Sequence, residues 1–224
     1  MTTAQEAYER YIVKSEKNGT NNNISTDRGR FVTLYNELNN RVTKWYLNNR
    51  QLDEIKDIRA LLIDDKKIAP HSKHLDHYDF KLPEDYFDQS FVRAVGENGK
   101  CKNEDIYLYE IKDEDRGSIM NDDLYGPSFD YRESPYTFAG DKLKVYVEKD
   151  TKLDKIYLSY YRYPNKIALL DPDNPESGFD PSKEIEFGDE VLDRIISAMV
   201  GDFKINTENP SFQAEKFREK ENLI

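Results

Sequence analysis

The stretch Lys142–Arg162, KLKVYVEKDTKLDKIYLSYYR, carries two strand-like runs around a charged turn and sets the expected architecture. Leu143, Val145 and Val147 alternate with Lys142, Lys144, Tyr146 and Glu148, the two-residue period of a half-buried strand. In the second run Ile156, Leu158 and Tyr160 share one face, and Tyr157, Ser159, Tyr161 and Tyr163 the other. Both faces are apolar or aromatic, which predicts a strand covered on two sides. The two runs are expected to pair as a β-hairpin. Pro164 has no N–H for a ladder and should end the second run. Beyond an acidic loop, Val191, Leu192, Ile195, Ile196, Met199 and Val200 form one apolar stripe at helical spacing. Asp189 and Glu190 sit at the end of that helix where its dipole favours negative charge.

The 224 residues allow one or two modest domains with a real core. With 37% hydrophobic and 34% charged residues and a mean hydropathy of −0.89, the chain is polar for a lone globule. Sixteen tyrosines and eleven phenylalanines argue against wholesale disorder, and tyrosine is frequent at interfaces. A net charge of −11 and a pI near 4.9 repel a phosphate backbone, which excludes sequence-specific DNA binding as an expectation. Cys101 is the only cysteine, so neither an intrachain disulfide nor a zinc site built on several thiolates is available. The N-terminus MTTAQEAYERY has charges where a secretory signal has an apolar run. The expectation is a chain made in a cytoplasm, with no membrane span.

Thr3 and Glu6 have capping-box spacing, and Ala4, Ala7, Tyr8, Tyr11 and Ile12 continue as a helix. An Asn-rich loop containing Asn18 and Asn23 follows. Thr26 or Asp27 can cap a second helix with Phe31, Leu34, Tyr35, Leu38, Val42, Trp45 and Tyr46 on its apolar face. Leu52, Ile55, Ile58 and Leu62 suggest another. HYDFKL at His77–Leu82 reads as a short strand. Pro83 suits the first turn of a helix, with Tyr86, Phe87, Phe91, Val92 and Val95 on its apolar face and Gly96 and Gly99 bounding the next turn. Ile106 and Leu108 alternate with Tyr107 and Tyr109 in a strand expected to be covered on both faces. The residues from Lys112 to Tyr136, with their Gly-Pro and Ser-Pro pairs, are expected to be irregular. Asn209 and Pro210 open a last charged helix whose apolar residues are Phe212 and Phe217.

Few residues suggest chemistry. His71, His74 and His77 could ligate zinc or nickel, with Asp76 or Asp79 adding oxygen. Pro70 and the strand-like HYDFKL oppose a helix there, and an extended chain would keep the imidazoles apart; a polar loop is expected, with no metal. Asp171 and Asp173 begin like a calcium loop, but Glu176 replaces its glycine and Ser182 its last glutamate. Phosphate-cradling loops and nucleophile elbows are missing from the sequence, and Cys101 between Lys100 and Lys102 has no identifiable histidine partner. Neither catalysis nor a cofactor is expected. The cluster Tyr157, Tyr160, Tyr161, Arg162 and Tyr163 could stack bases, but the charge balance favours a core strand or a subunit interface.

The order of an N-terminal helix pair, a strand ending Tyr161-Arg162-Tyr163-Pro164, an acidic loop with Asp171 and Asp180, and a helix from Asp189 resembles head–tail connector (adaptor) proteins of tailed bacteriophages. Glu6–Tyr8 and Arg28–Phe31, on either side of the Asn-rich loop, are similar to segments of ring proteins of crAss-like phages. The resemblance implies a structural virion protein at the head–tail interface. It would form a homo-oligomeric, commonly dodecameric ring below the portal protein, extend the DNA channel, and dock further tail ring or fibre proteins. Genomic DNA would pass through it without specific binding. The resemblance also implies a C-terminal arm, here 206–224, gripping the portal or a neighbour through Phe212 and Phe217, with Tyr161, Arg162 and Tyr163 as further interface candidates.

The expected fold is α+β, with N- and C-terminal helices forming a helical-bundle core and a β-rich insertion and hairpin between them. The expected parts are residues 1–65 (helical), 66–140 (β-rich or irregular insertion), 141–205 (hairpin and core helix) and 206–224 (arm). The alternative function is a non-catalytic protein-binding module with an aromatic surface.

Overall fold

A computed structural model describes residues 2–17, 28–49, 58–122, 124–171 and 178–205. The chain divides into two units: Leu62–Tyr163, and Met1–Leu61 together with Pro164–Ile224.

The first of these is a sheet of eight strands: β1 (Leu62–Ile68), β2 (Ser72–Lys73), β3 (His77–Lys81), β4 (Tyr86–Asn98), β5 (Cys101–Glu110), β6 (Glu133–Ala139), β7 (Lys142–Tyr146) and β8 (Lys152–Arg162). Their order is β1-β8-β4-β5-β6-β7-β3-β2. Every pairing is antiparallel except β5–β6, which is parallel. Parallel neighbours need a long connection. Here the intervening residues contain a 3-10 turn (Asp113–Asp115) and the one-turn helix α3 (Arg116–Ile119). The sheet curls into a half-barrel. Phe80, Val92, Ala94, Ile106, Leu108, Tyr136, Leu143, Val145, Ile156, Leu158 and Tyr160 pack on its inner side.

The described residues of the other unit include the long helices α1 (Ala4–Lys17), α2 (Arg28–Asn49) and α4 (Asp189–Ile205). Thr3 and Glu6 cap α1 reciprocally: the Thr3 N–H donates to Glu6 Oε2 at 2.9 Å, and the Glu6 N–H to Thr3 Oγ1 at 3.3 Å. The apolar stripe of α4, from Val191 to Val200, is buried as the periodicity predicts. Irregular chain supplies much of the packing, through Ile167, Phe179, Ile185 and Phe187. The Phe31 ring of α2 lies 5.3 Å from Tyr8 and 5.4 Å from Phe179 between centroids.

This overturns the expected fold class. The described residues are strand-dominated, built on a curled mixed sheet, and the four helices among them are not a bundle core. Three local misreadings explain the error. Lys142–Tyr146 and Lys152–Arg162 are both strands, but they do not pair as a hairpin. Partners β6 and β3 occupy both edges of β7, so β8 inserts between β1 and β4 instead. Residues 86–98 form strand β4 rather than a helix: pairing with β8 on one side and β5 on the other overrides a helical spacing of aromatics. Finally, β6 runs through the Ser-Pro segment expected to be irregular. Pro135 is tolerated because it pairs only with β5, one residue before β6 meets β7 at Tyr136.

In β5, Ile106 and Leu108 are buried while Tyr107 is exposed, so that strand is covered on one face only. Of the third predicted helix, residues 50–57 lie outside the described residues, and Leu62 opens β1. Asn18, Asn23, Thr26, Asp27, Asp173, Glu176 and the arm 206–224 with Phe212 and Phe217 also lie outside them.

Candidate functional site

Three adjacent strands place an arginine between two tyrosines. Arg93 of β4 is in register with Tyr157 of β8 and Tyr107 of β5, so all three side chains leave the sheet on one face. The Arg93 guanidinium lies 4.2 Å from the Tyr157 ring centroid, a cation–π distance. Its Nη1 donates to Asp105 Oδ1 at 2.6 Å, and Asp65 Oδ2 stands 3.5 Å from Nη2. Burial pushes the Arg93 pKa down, but the Asp105 and Asp65 carboxylates together bring it net above the ordinary value. Tyr107 is 56% exposed, and the β5–β6 connection beside it adds exposed Leu124, Tyr125 and Tyr131. That connection is tied to β5 by backbone and side-chain bonds, among them an ion pair from Arg132 to Glu104 at 2.8 Å. The Tyr107 N–H donates to the Arg132 carbonyl at 2.7 Å, and the Tyr109 hydroxyl donates to the Tyr125 carbonyl.

The tyrosines singled out in the sequence are split by the sheet. Tyr160 is fully buried, and its hydroxyl donates to Asp85 Oδ1 at 2.8 Å. Tyr161 is buried opposite Leu62 and Asp88. Tyr163 is half-exposed and meets Phe87 edge-on at 4.5 Å, while Arg162 Nη1 donates to the Tyr163 carbonyl at 3.1 Å. The Arg93–Tyr107 neighbourhood was not singled out in the sequence, because its members come from three separate strands. The available signal was the alternation of Tyr107 with Ile106 and Leu108, which marks Tyr107 as outward once β5 is one-sided.

A second cluster surrounds the β2–β3 turn. Backbone bonds from His71 N–H to the Asp79 carbonyl (2.7 Å) and from His74 N–H to the His77 carbonyl (2.8 Å) hold this turn. It folds His74 back onto His77, and their rings stack at 4.4 Å. Two of the three predicted imidazoles therefore converge although β3 is extended; the turn, rather than the strand, brings them together. One ligand atom each from His74, His77 and Asp79 lies within 4.8 Å of the others, and His71 is not part of the set.

His77 Nδ1 is 2.7 Å from Asp76 Oδ1, and Arg116 Nη2 of α3 donates to Asp76 Oδ2 at 3.0 Å. The His77 hydrogen bond, aided by Arg116, holds the Asp76 carboxyl below its ordinary range. Asp79 is buried, its side chain only 6% exposed. Burial pushes its carboxyl up, but Ser72 Oγ at 3.0 Å and Lys142 Nζ at 3.2 Å, both donating to Oδ2, bring it net below the ordinary value. Asp79 Oδ1 has no hydrogen-bond partner among the described residues.

Cys101 is exposed at the start of β5. In the acidic loop, Asp180 Oδ1 accepts from Ser182 N–H and Oγ at 2.9 and 2.7 Å, which is turn geometry. No helix among the described residues is long and apolar enough to cross a membrane. No protein-family model matches the sequence, and comparison with curated proteins found no relative.

Proposed function

We propose that this chain is a non-catalytic ring subunit of a tailed-phage head–tail connector, assembling below the portal and lining the DNA passage. The observation that carries the reading is the outward Tyr107–Arg93–Tyr157 row, flanked by exposed Leu124, Tyr125 and Tyr131. Tyr and Arg are among the residues enriched where proteins bind each other, and apolar side chains gathered in one region mark an interaction surface. The partners are neighbouring copies, the portal and a further tail component. The net charge of −11 suits a passage that DNA traverses without adhering.

The test mixes the full chain with its cognate portal and follows assembly by electron microscopy and mass measurement. A symmetric ring on the portal is expected, and Tyr107→Ser should weaken it. A chain that stays monomeric and binds no portal overturns the connector reading in favour of a protein-binding module that uses the same aromatic surface.

A further inference from the structure

His77 Nε2 and Asp79 Oδ1 face each other at 3.5 Å. Asp76 is a carboxylate and can only accept, so His77 Nδ1 donates to it and Nε2 is the ring nitrogen turned toward Asp79 Oδ1. The nearby ammonium of Lys142 is taken up by Asp79 Oδ2, so the buried Oδ1 stands beside an imidazole nitrogen with no donor of its own among the described residues. A proton on Nε2 serves poorly: 3.5 Å is too long for an N–H···O bond, and Asp79 Oδ1 makes none. A metal ion wants this spacing. With metal–nitrogen and metal–oxygen distances of 2.0–2.2 Å, two corners of a tetrahedron stand about 3.3–3.6 Å apart.

We propose that His74, His77 and Asp79 form a binding site for a divalent first-row transition metal, with Zn2+ the ion best suited to two imidazoles and a carboxylate. Calcium and magnesium prefer all-oxygen shells. His74 Nε2 is already 3.5 Å from Asp79 Oδ2. The ligand atoms of the set all lie within 4.8 Å of one another, and the half-exposed His74 ring, stacked on His77, has to turn for all three to meet one ion.

The surrounding residues do what outer groups do at metal sites. Asp76 fixes the His77 tautomer and ring plane and is itself held by Arg116. Ser72 and Lys142 hold Asp79 Oδ2, which leaves Oδ1 to the ion. Asp76 and Asp79 are balanced by Arg116 and Lys142, so binding rests on coordination rather than on excess negative charge. Three protein ligands leave a fourth position for water. Bound there, the ion pins the short edge strand β2 and its turn against β3.

The experiment titrates Zn2+ into metal-stripped full chain by calorimetry, with Co2+ absorption reporting a tetrahedral shell. One Zn2+ per chain is expected. His74→Ala should weaken binding at least about tenfold, and Asp76→Asn about ten- to a hundredfold, while His71→Ala leaves it unchanged. His74 is half-exposed, so its loss does not threaten the fold, and circular dichroism checks that. Failure to reach saturable stoichiometric binding overturns the proposal, as does a loss in His71→Ala equal to that in His74→Ala.

Discussion

Gly96 of β4 lies so close to Lys152 of β8 that a Cβ built on it would stand 2.6 Å from the Lys152 carbonyl oxygen. The atom in the way is backbone rather than a side-chain end, at a point where the β4–β8 register shifts between Val95 and Gly96. Glycine is needed for this approach, and no flexible side-chain end can yield.

Gly96→Ala should therefore destabilise the chain by about 1–3 kcal/mol, the usual cost of overpacking. Denaturant unfolding measures it. Gly117, which has open space around its Cβ position, serves as the control, and alanine there should leave the sheet unchanged.

Alkaline pH should loosen the same sheet. Burial is the main cause that pushes the Tyr136 and Tyr160 hydroxyls from 10.0 up to about 12, with the Asp85 carboxylate adding to it at Tyr160. Both phenols thus contribute stability that is complete below pH 10 and is lost as pH rises through about 12. Phenolate absorbance followed alongside melting temperature checks this. Tyr160→Phe should flatten part of the alkaline decline while losing about 1 kcal/mol at neutral pH through the missing bond to Asp85.

At the start of α1, Thr3→Ala removes one half of the capping box. The expected loss is about 1 kcal/mol, read as a lower melting temperature. Thr3→Ser should retain most of the stability.

On the outer face, Arg93→Ala should leave the core intact, because the polar and ring partners of Arg93 among the described residues are Tyr157, Asp105 and Asp65 rather than core residues. Its exposed ion pairs are each worth less than about 1 kcal/mol. Assembly with the portal should fall much more than stability does. Equal losses in both measurements would reassign the row to folding.

Local pattern was legible where one segment decides its own state. The capping box at Thr3, the stripe of α4, and the strands at His77, Ile106, Lys142 and Lys152 all read correctly from spacing. Partner choice was not legible. Alternation at Leu143 and Val145 marks a strand but does not say that β3 and β6 will take both of its edges. Phe87, Phe91 and Val95 fit helical spacing, and only the sheet on either side makes them β4. At the histidines, the sequence shows three possible ligands; it does not show that a turn brings His74 over His77 and leaves His71 out. The Arg93 row depends on register between distant strands, which no single stretch encodes.

The first and last strands of the sheet are partners: Leu62 faces Tyr161 across an antiparallel pair. Cross-strand partners lie about 5 Å apart, so the chain begins and finishes this unit at a single seam. A segment with such adjoining ends behaves as a cassette. It can be gained, lost or exchanged between related chains at little loop-closure cost to the sequence that carries it. Replacing residues 62–163 by a short bridge is thus the smallest edit that takes the sheet out of the chain while keeping the rest of the sequence in order.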